Sequence, residues 1–78
     1  MEEIYSILKE LRPEFDFKES EDFVDDGYLD SFDIITLVST LEEKYDIKID
    51  GLEVIPENFS TADAIMGLVK KSGGNILQ

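Results

Sequence analysis

The sequence predicts an all-α domain with a long, packed connection between its first two helices. Three segments repeat apolar residues at helical spacing. One short segment alternates polar and apolar residues, but it has no second strand to pair with. With 78 residues the chain is one domain, close to the lower size at which a single core supports folding. We expect that domain to occupy residues 1–72, with residues 73–78 as a flexible C-terminal tail.

The first helix is predicted over Glu3 to Leu11, because its apolar residues fall at i, i+3, i+4 and i+7. Pro13 ends it. The connection from Glu14 to Asp30 is acidic, yet it carries Phe15, Phe17, Phe23, Val24, Tyr28 and Leu29. Apolar and aromatic residues are not expected in a solvent-exposed linker, so this connection is expected to pack against the core.

The second helix is predicted from Ser31 to about Tyr45 and carries the strongest periodic pattern in the chain. Its core residues lie within roughly a third of the helical wheel: Ile34, Leu37, Val38, Leu41 and Tyr45. Asp30 is placed as the N-cap, and Asp33 completes something close to a capping box.

The remaining chain is predicted to end in one further helix. Residues 46–52 form an extended connection, and Pro56 begins a single short helical turn that ends near Phe59. The run Ser60-Thr61-Ala62-Asp63 has the form of a helix start, and that last helix ends near Lys71.

The charge balance excludes several classes of function. There are 19 Asp and Glu against 7 Lys and Arg, a net charge of −12, with no His and no Cys. The usual Cys/His zinc sites, disulfide frameworks and His-dependent triads are therefore excluded. Nucleic acids and anionic membranes would be repelled, so a partner should be basic. No apolar stretch is long enough to span a bilayer and no export signal precedes the domain, so the expected location is the cytosol.

The open side of the second helix is the first candidate functional feature. Phe32, Ile35 and Ser39 lie away from the core stripe, beside Thr36. Two bulky apolar groups there indicate an anchor patch with an acidic rim, formed by Asp33, Glu42, Glu43 and Asp46. The alternative is that Ile35 packs beneath the connection of residues 14–29.

Ser31 is the second candidate, because it falls at the first position of the second helix. A phosphate esterified to its hydroxyl would be stabilised by unpaired backbone N–H groups and by the helix dipole. With no His and no adjacent Lys to activate it, another enzyme would have to modify it. The alternative is an ordinary residue that follows the cap Asp30.

Residues 22–33 are the third candidate, because they resemble a calcium loop. Acids fall at positions 1, 5, 9 and 12, with Gly27 at position 6. Val24 at position 3 offers no side-chain oxygen, and Asp33 at position 12 is too short for the usual bidentate contact. We therefore expect loose divalent binding by the acidic cluster rather than a dedicated metal site.

The whole pattern resembles the acyl carrier protein family, whose signature Asp-Ser-Leu-(Asp/Glu) opens the second helix. Here that place reads Asp30-Ser31-Phe32-Asp33. The resemblance runs from about Glu2 to Lys71 and includes Leu41-Glu42-Glu43-Lys44-Tyr45 and Thr61-Ala62-Asp63-Ala64-Ile65.

The resemblance implies a four-helix bundle with a short third helix, acting as a carrier rather than as an enzyme. Ser31 would carry 4′-phosphopantetheine, which a phosphopantetheinyl transferase attaches from coenzyme A, and Asp30 and Phe32 would flank the group. Phe32 and Ile35 would dock partner enzymes, while Asp30, Asp33, Glu42 and Glu43 would pair with basic groups around the partner's site. The carrier would be a monomer.

Departures from the family pattern concern the cargo. Carriers of fatty-acid synthesis usually have Glu where this chain has Thr36, and Met where it has Ser39. Residues 26–31 and 56–61 look more like discrete carriers that work with adenylate-forming ligases or acyltransferases on aminoacyl or specialised acyl groups. The alternatives are a carrier of housekeeping fatty-acid synthesis and, from another class, a small acidic calcium-binding or interaction bundle.

Overall fold

Three α-helices build the fold, in a computed structural model that describes residues 2–73. They are α1 (Glu2–Leu11), α2 (Ser31–Tyr45) and α3 (Ala62–Lys71). Shorter 3-10 turns lie at Phe17–Glu19, Gly51–Glu53 and Pro56–Phe59, and residues 2–73 contain no strand. The all-α prediction and the three longer helices are confirmed. Of the predicted flexible tail, residues 74–78 lie outside the described part of the chain.

The short helix expected after Pro56 is a 3-10 turn of four residues. Its N–H group at Asn58 donates to the carbonyl of Ile55 at 3.0 Å, an i to i+3 bond. Four residues after an extended Ile55 are too few to build a ladder of i to i+4 bonds. The described residues therefore form three α-helices rather than four.

The core forms where α1 packs against both α2 and α3. From α2 it takes Ile34, Leu37 and Leu41, while Val38 and Tyr45 are only partly buried at its edge. The largest fully buried side chains elsewhere in the core are Ile4, Leu8, Phe23, Leu29, Phe59, Ile65 and Val69. The predicted phase of α2 is thereby confirmed.

The connection between α1 and α2 is packed, as predicted. Its aromatic rings contact one another: Phe15 stacks on Tyr28 with centroids 4.4 Å apart, and Phe17 meets Phe23 edge-on at 5.0 Å. The N–H groups of Tyr28 and Leu29 both donate to the carbonyl of Phe23, at 2.8 and 3.0 Å. These contacts fix the backbone that leads directly into α2.

The other connections differ in detail from the prediction. The extended segment after α2 ends in the 3-10 turn Gly51–Glu53. The last helix is capped by Thr61, whose hydroxyl accepts from the N–H of Ala64 at 3.0 Å. Ser60 precedes it and bonds instead to the carbonyl of Glu57. Both hydroxyls suit a cap, but that of Ser60 is engaged with Glu57, and the cap is Thr61.

Candidate functional site

Ser31 is the first residue of α2, and its side chain is exposed. Asp30 caps the helix: its carboxylate accepts from the N–H of Asp33 at 2.8 Å, and the carboxylate of Asp33 accepts from the N–H of Asp30 at 3.2 Å. The predicted capping box is confirmed. It holds the turn on which Ser31 sits.

Two backbone N–H groups next to the Ser31 hydroxyl, those of Ser31 itself and of Phe32, have no intrahelical acceptor. The first intrahelical bond runs from Ile34 to the carbonyl of Asp30 at 3.0 Å, and the N–H of Asp33 is taken by the cap. The amides of Ser31 and Phe32 precede that bond, at the positive end of the α2 dipole. A phosphodiester on the Ser31 hydroxyl would meet these donors, so the local structure fits a phosphate-linked group.

An exposed apolar patch lies next to Ser31. Phe32 is 76% exposed and Ile35 is 61% exposed, and we call these two residues the docking patch. The alternative that Ile35 packs beneath the connection is therefore wrong. Ser39 and Glu43, which follow at intervals of four residues, are exposed on the same side of α2. The stripe thus runs from the apolar patch to an acidic side chain about 12 Å along the helix from Ile35.

The expected acidic rim is smaller than the sequence suggested. Asp33 is 6% exposed and faces the protein, so it does not fit the docking role expected of it. Glu42 is half-buried, and its carboxylate accepts from the N–H of Ile49 at 2.9 Å. It therefore holds the segment after α2 against the helix. Asp30, Glu43 and Asp46 are the acids of this region that are exposed.

Arg12 is a residue of the site that sequence reasoning missed. Its Nη2 and Nε lie 2.9 and 3.0 Å from Oδ2 of Asp33, and its Nη1 lies 3.1 Å from Glu14. Asp30 is 3.7 Å from Nη2. The sequence showed only that Arg12 lies next to Pro13 at the end of α1. That position does not reveal a partner in another helix.

Burial and pairing act in opposite directions on Asp33. Burial alone would raise the pKa of its carboxyl, but the hydrogen bonds from Arg12 and from the N–H of Asp30 outweigh it, so the pKa is lowered. The same contact, together with the bond to Glu14, raises the pKa of Arg12. Both groups are charged at neutral pH.

The calcium-loop resemblance is not realised as a cation cage. Asp22 uses its carboxylate to cap a local turn, accepting from the N–H groups of Val24 and Asp25 at 3.1 and 2.9 Å. Asp33 points to Arg12. Within residues 2–73 no group of three or more acidic side chains is arranged to hold a metal ion.

Comparison with known proteins assigns the family. No curated protein and no solved structure matches the chain. No helix in the described part of the chain is long and apolar enough to cross a membrane. A family model described as a phosphopantetheine attachment site matches residues 2–69, which is most of the chain. The chain therefore belongs to the phosphopantetheine-attachment family, whose members are non-catalytic carriers with 4′-phosphopantetheine as their prosthetic group.

Proposed function

We propose that Ser31 carries the 4′-phosphopantetheine and that the chain presents an acyl or aminoacyl group to partner enzymes. The observation that supports this most directly is the exposed hydroxyl at the N-terminus of α2, beside two unpaired amides and the docking patch. The exposed serines Ser6 and Ser39 lie inside helices, where the backbone N–H groups are already used. The prosthetic group supplies the thiol that holds cargo as a thioester, which a chain without Cys otherwise lacks.

The attachment step divides the chemistry between the carrier and its transferase. The Oγ of Ser31 forms a bond to the phosphorus of coenzyme A that bears the pantetheine arm. The P–O bond to the adenosine bisphosphate breaks, and that nucleotide leaves. The hydroxyl proton passes to a base on the phosphopantetheinyl transferase, because the chain has no His and the neighbouring carboxylate of Asp30 is engaged as the helix cap. The carrier therefore positions the Ser31 hydroxyl, through Asp30 and the first turn of α2, and the transferase activates it.

The docking patch and the exposed acids suit a partner with an apolar socket and a basic surround. Phe32 and Ile35 offer apolar contact area next to the attachment point. Glu43 lies farther along the same side of α2. Charge pairs at such a rim mainly speed encounter and select partners, which suits a carrier that must release each enzyme.

For the cargo, we propose a specialised acyl or aminoacyl transfer pathway with an adenylate-forming ligase or acyltransferase. Thr36 and Ser39 leave the middle of the exposed stripe neutral, and fatty-acid carriers usually place Glu and Met there. A ligase that accepts this stripe would not need the basic group that pairs with Glu. The monomeric state and the cytosolic location remain predictions.

Loading in vitro tests the assignment of Ser31. The apo chain is incubated with coenzyme A and a broad-specificity phosphopantetheinyl transferase, and its intact mass is measured. We expect a gain of one phosphopantetheine, abolished in Ser31→Ala and retained in the matched control Ser39→Ala. A gain that survives Ser31→Ala would contradict the assignment. The loaded chain is then offered to an aminoacyl-adenylating ligase and to the malonyl transferase of fatty-acid synthesis. Faster transfer from that malonyl transferase would contradict the proposed pathway and favour the alternative of housekeeping fatty-acid synthesis.

A further inference from the structure

Arg12 is the single arginine of the sequence, and its backbone is held in place at the end of α1. Its N–H donates to the carbonyl of Leu8 at 2.9 Å, and its own carbonyl accepts from the N–H of Phe15 at 3.2 Å. Pro13 restricts the backbone of Arg12 further. The side chain therefore starts from a fixed point and reaches across to α2.

The guanidinium of Arg12 converges on one oxygen of the α2 capping box. Nε and Nη2 both contact Oδ2 of Asp33, and the same oxygen accepts from the N–H of Asp30. The second bond of the capping box is made by Asp30, whose Oδ1 accepts from the N–H of Asp33. Arg12 thus ties the end of α1 to the two residues that flank Ser31 and Phe32.

An ordinary capping box does not need this cation. The two reciprocal bonds between Asp30 and Asp33 satisfy the helix end by themselves. In this chain the carboxylate of Asp33 is buried, and a buried charge is unfavourable unless it is paired. Arg12 provides that pairing with two N–H donors in a rigid plane, which the single ammonium of a lysine cannot reproduce.

We propose that Arg12 is a positioning residue that holds the first turn of α2 in the orientation that the transferase needs at Ser31. This rests on the proposed role of Ser31 as the attachment residue. Of the docking patch, Phe32 lies in the turn that Arg12 holds, but Ile35 lies beyond that turn and next to the buried Ile34, so the patch as a whole depends on Arg12 less than Ser31 does. Loss of Arg12 should therefore affect the geometry of attack more than the encounter with the transferase.

The test is the steady-state loading of the Arg12→Gln variant by the transferase, at a temperature well below the melting temperature of the variant. We expect kcat to fall about tenfold, while KM for the carrier changes by no more than about twofold. Arg12→Lys should recover part of the lost kcat. The matched control is Lys18→Gln, which removes one cation from an exposed ion pair away from α2, Lys18–Glu2 at 3.2 Å. It should load like the original chain.

A double-mutant cycle checks that Arg12 acts through the cap. If it does, adding Asp33→Asn to Arg12→Gln lowers kcat no further. An unchanged kcat in folded Arg12→Gln, or a change in KM alone, would overturn the proposal.

Amide exchange separates this proposal from the role of Ser31. Arg12→Gln should speed exchange at Asp33 and Ile34 more than at the core of α2, whereas Lys18→Gln should not. If the original chain is never loaded, the assignment of Ser31 fails. The exchange data then decide separately whether Arg12 holds this turn, and unchanged exchange at both residues would overturn it.

Discussion

Leu41 and Ile35 are aliphatic residues of the same helix with opposite environments, and truncating each one tests the orientation of α2. Leu41 is 0% exposed and Ile35 is 61% exposed. They lie about 120° apart around the helix axis. Alanine favours helix at least as well as either residue, so backbone propensity does not explain a loss of stability.

The expected magnitudes follow from burial. Leu41→Ala removes packed core atoms and leaves a cavity, which costs about 2–5 kcal/mol of the free energy of unfolding. A domain of this size has about 4–12 kcal/mol in total. Ile35→Ala should change it by no more than about 0.5 kcal/mol, because the side chain is mostly in water already.

Urea unfolding followed by the helical circular-dichroism signal measures both variants. With a slope of about 1 kcal/mol per molar urea, Leu41→Ala should lower the midpoint by about 2 M or more. The midpoint for Ile35→Ala should move by about 0.5 M at most. Equal losses for the two variants, or a larger loss for Ile35→Ala, would show that α2 is rotated from the orientation described.

Two further predictions concern charge. Glu43→Lys should slow loading severalfold at low salt and much less in 0.5 M salt, where charges are screened within about 4 Å. Glu10→Lys on α1 makes the same charge change and should have little effect on loading. Equal slowing by both variants would place the acidic contact elsewhere. The lowered pKa of Asp33 stabilises the fold above its unfolded value of 3.8, and this contribution should be lost as the pH falls through the lower folded pKa. Asp33→Asn should therefore flatten the acid limb of the stability curve, and an unchanged limb would contradict the Arg12 contact. Glu53→Gln removes a less buried carboxyl, whose pKa is lowered by the hydrogen bond from Lys71, and should flatten the limb less.

Much of the site could be predicted because its determinants are local. The cap Asp30 and the candidate Ser31 follow from the start of one helical pattern. The same periodicity places Phe32 and Ile35 off the core stripe, but only the structure decided that Ile35 is exposed rather than covered by the connection.

The acidic rim could not be predicted because charge along a sequence does not show which carboxylates are engaged. Asp33 and Glu42 are as acidic as Glu43, yet one is paired with Arg12 and the other accepts from the backbone of Ile49. Both partners come from segments that only folding brings near.

The sequence by itself determined the three longer helices, the cap of α2 and the placement of Ser31 at a helix start, because these depend on residues within a few positions of one another. Only the tertiary structure decided that Arg12 holds this start, across 21 residues of chain. It did so through the packing of α1 on α2, which buries Asp33 and leaves its charge in need of a partner.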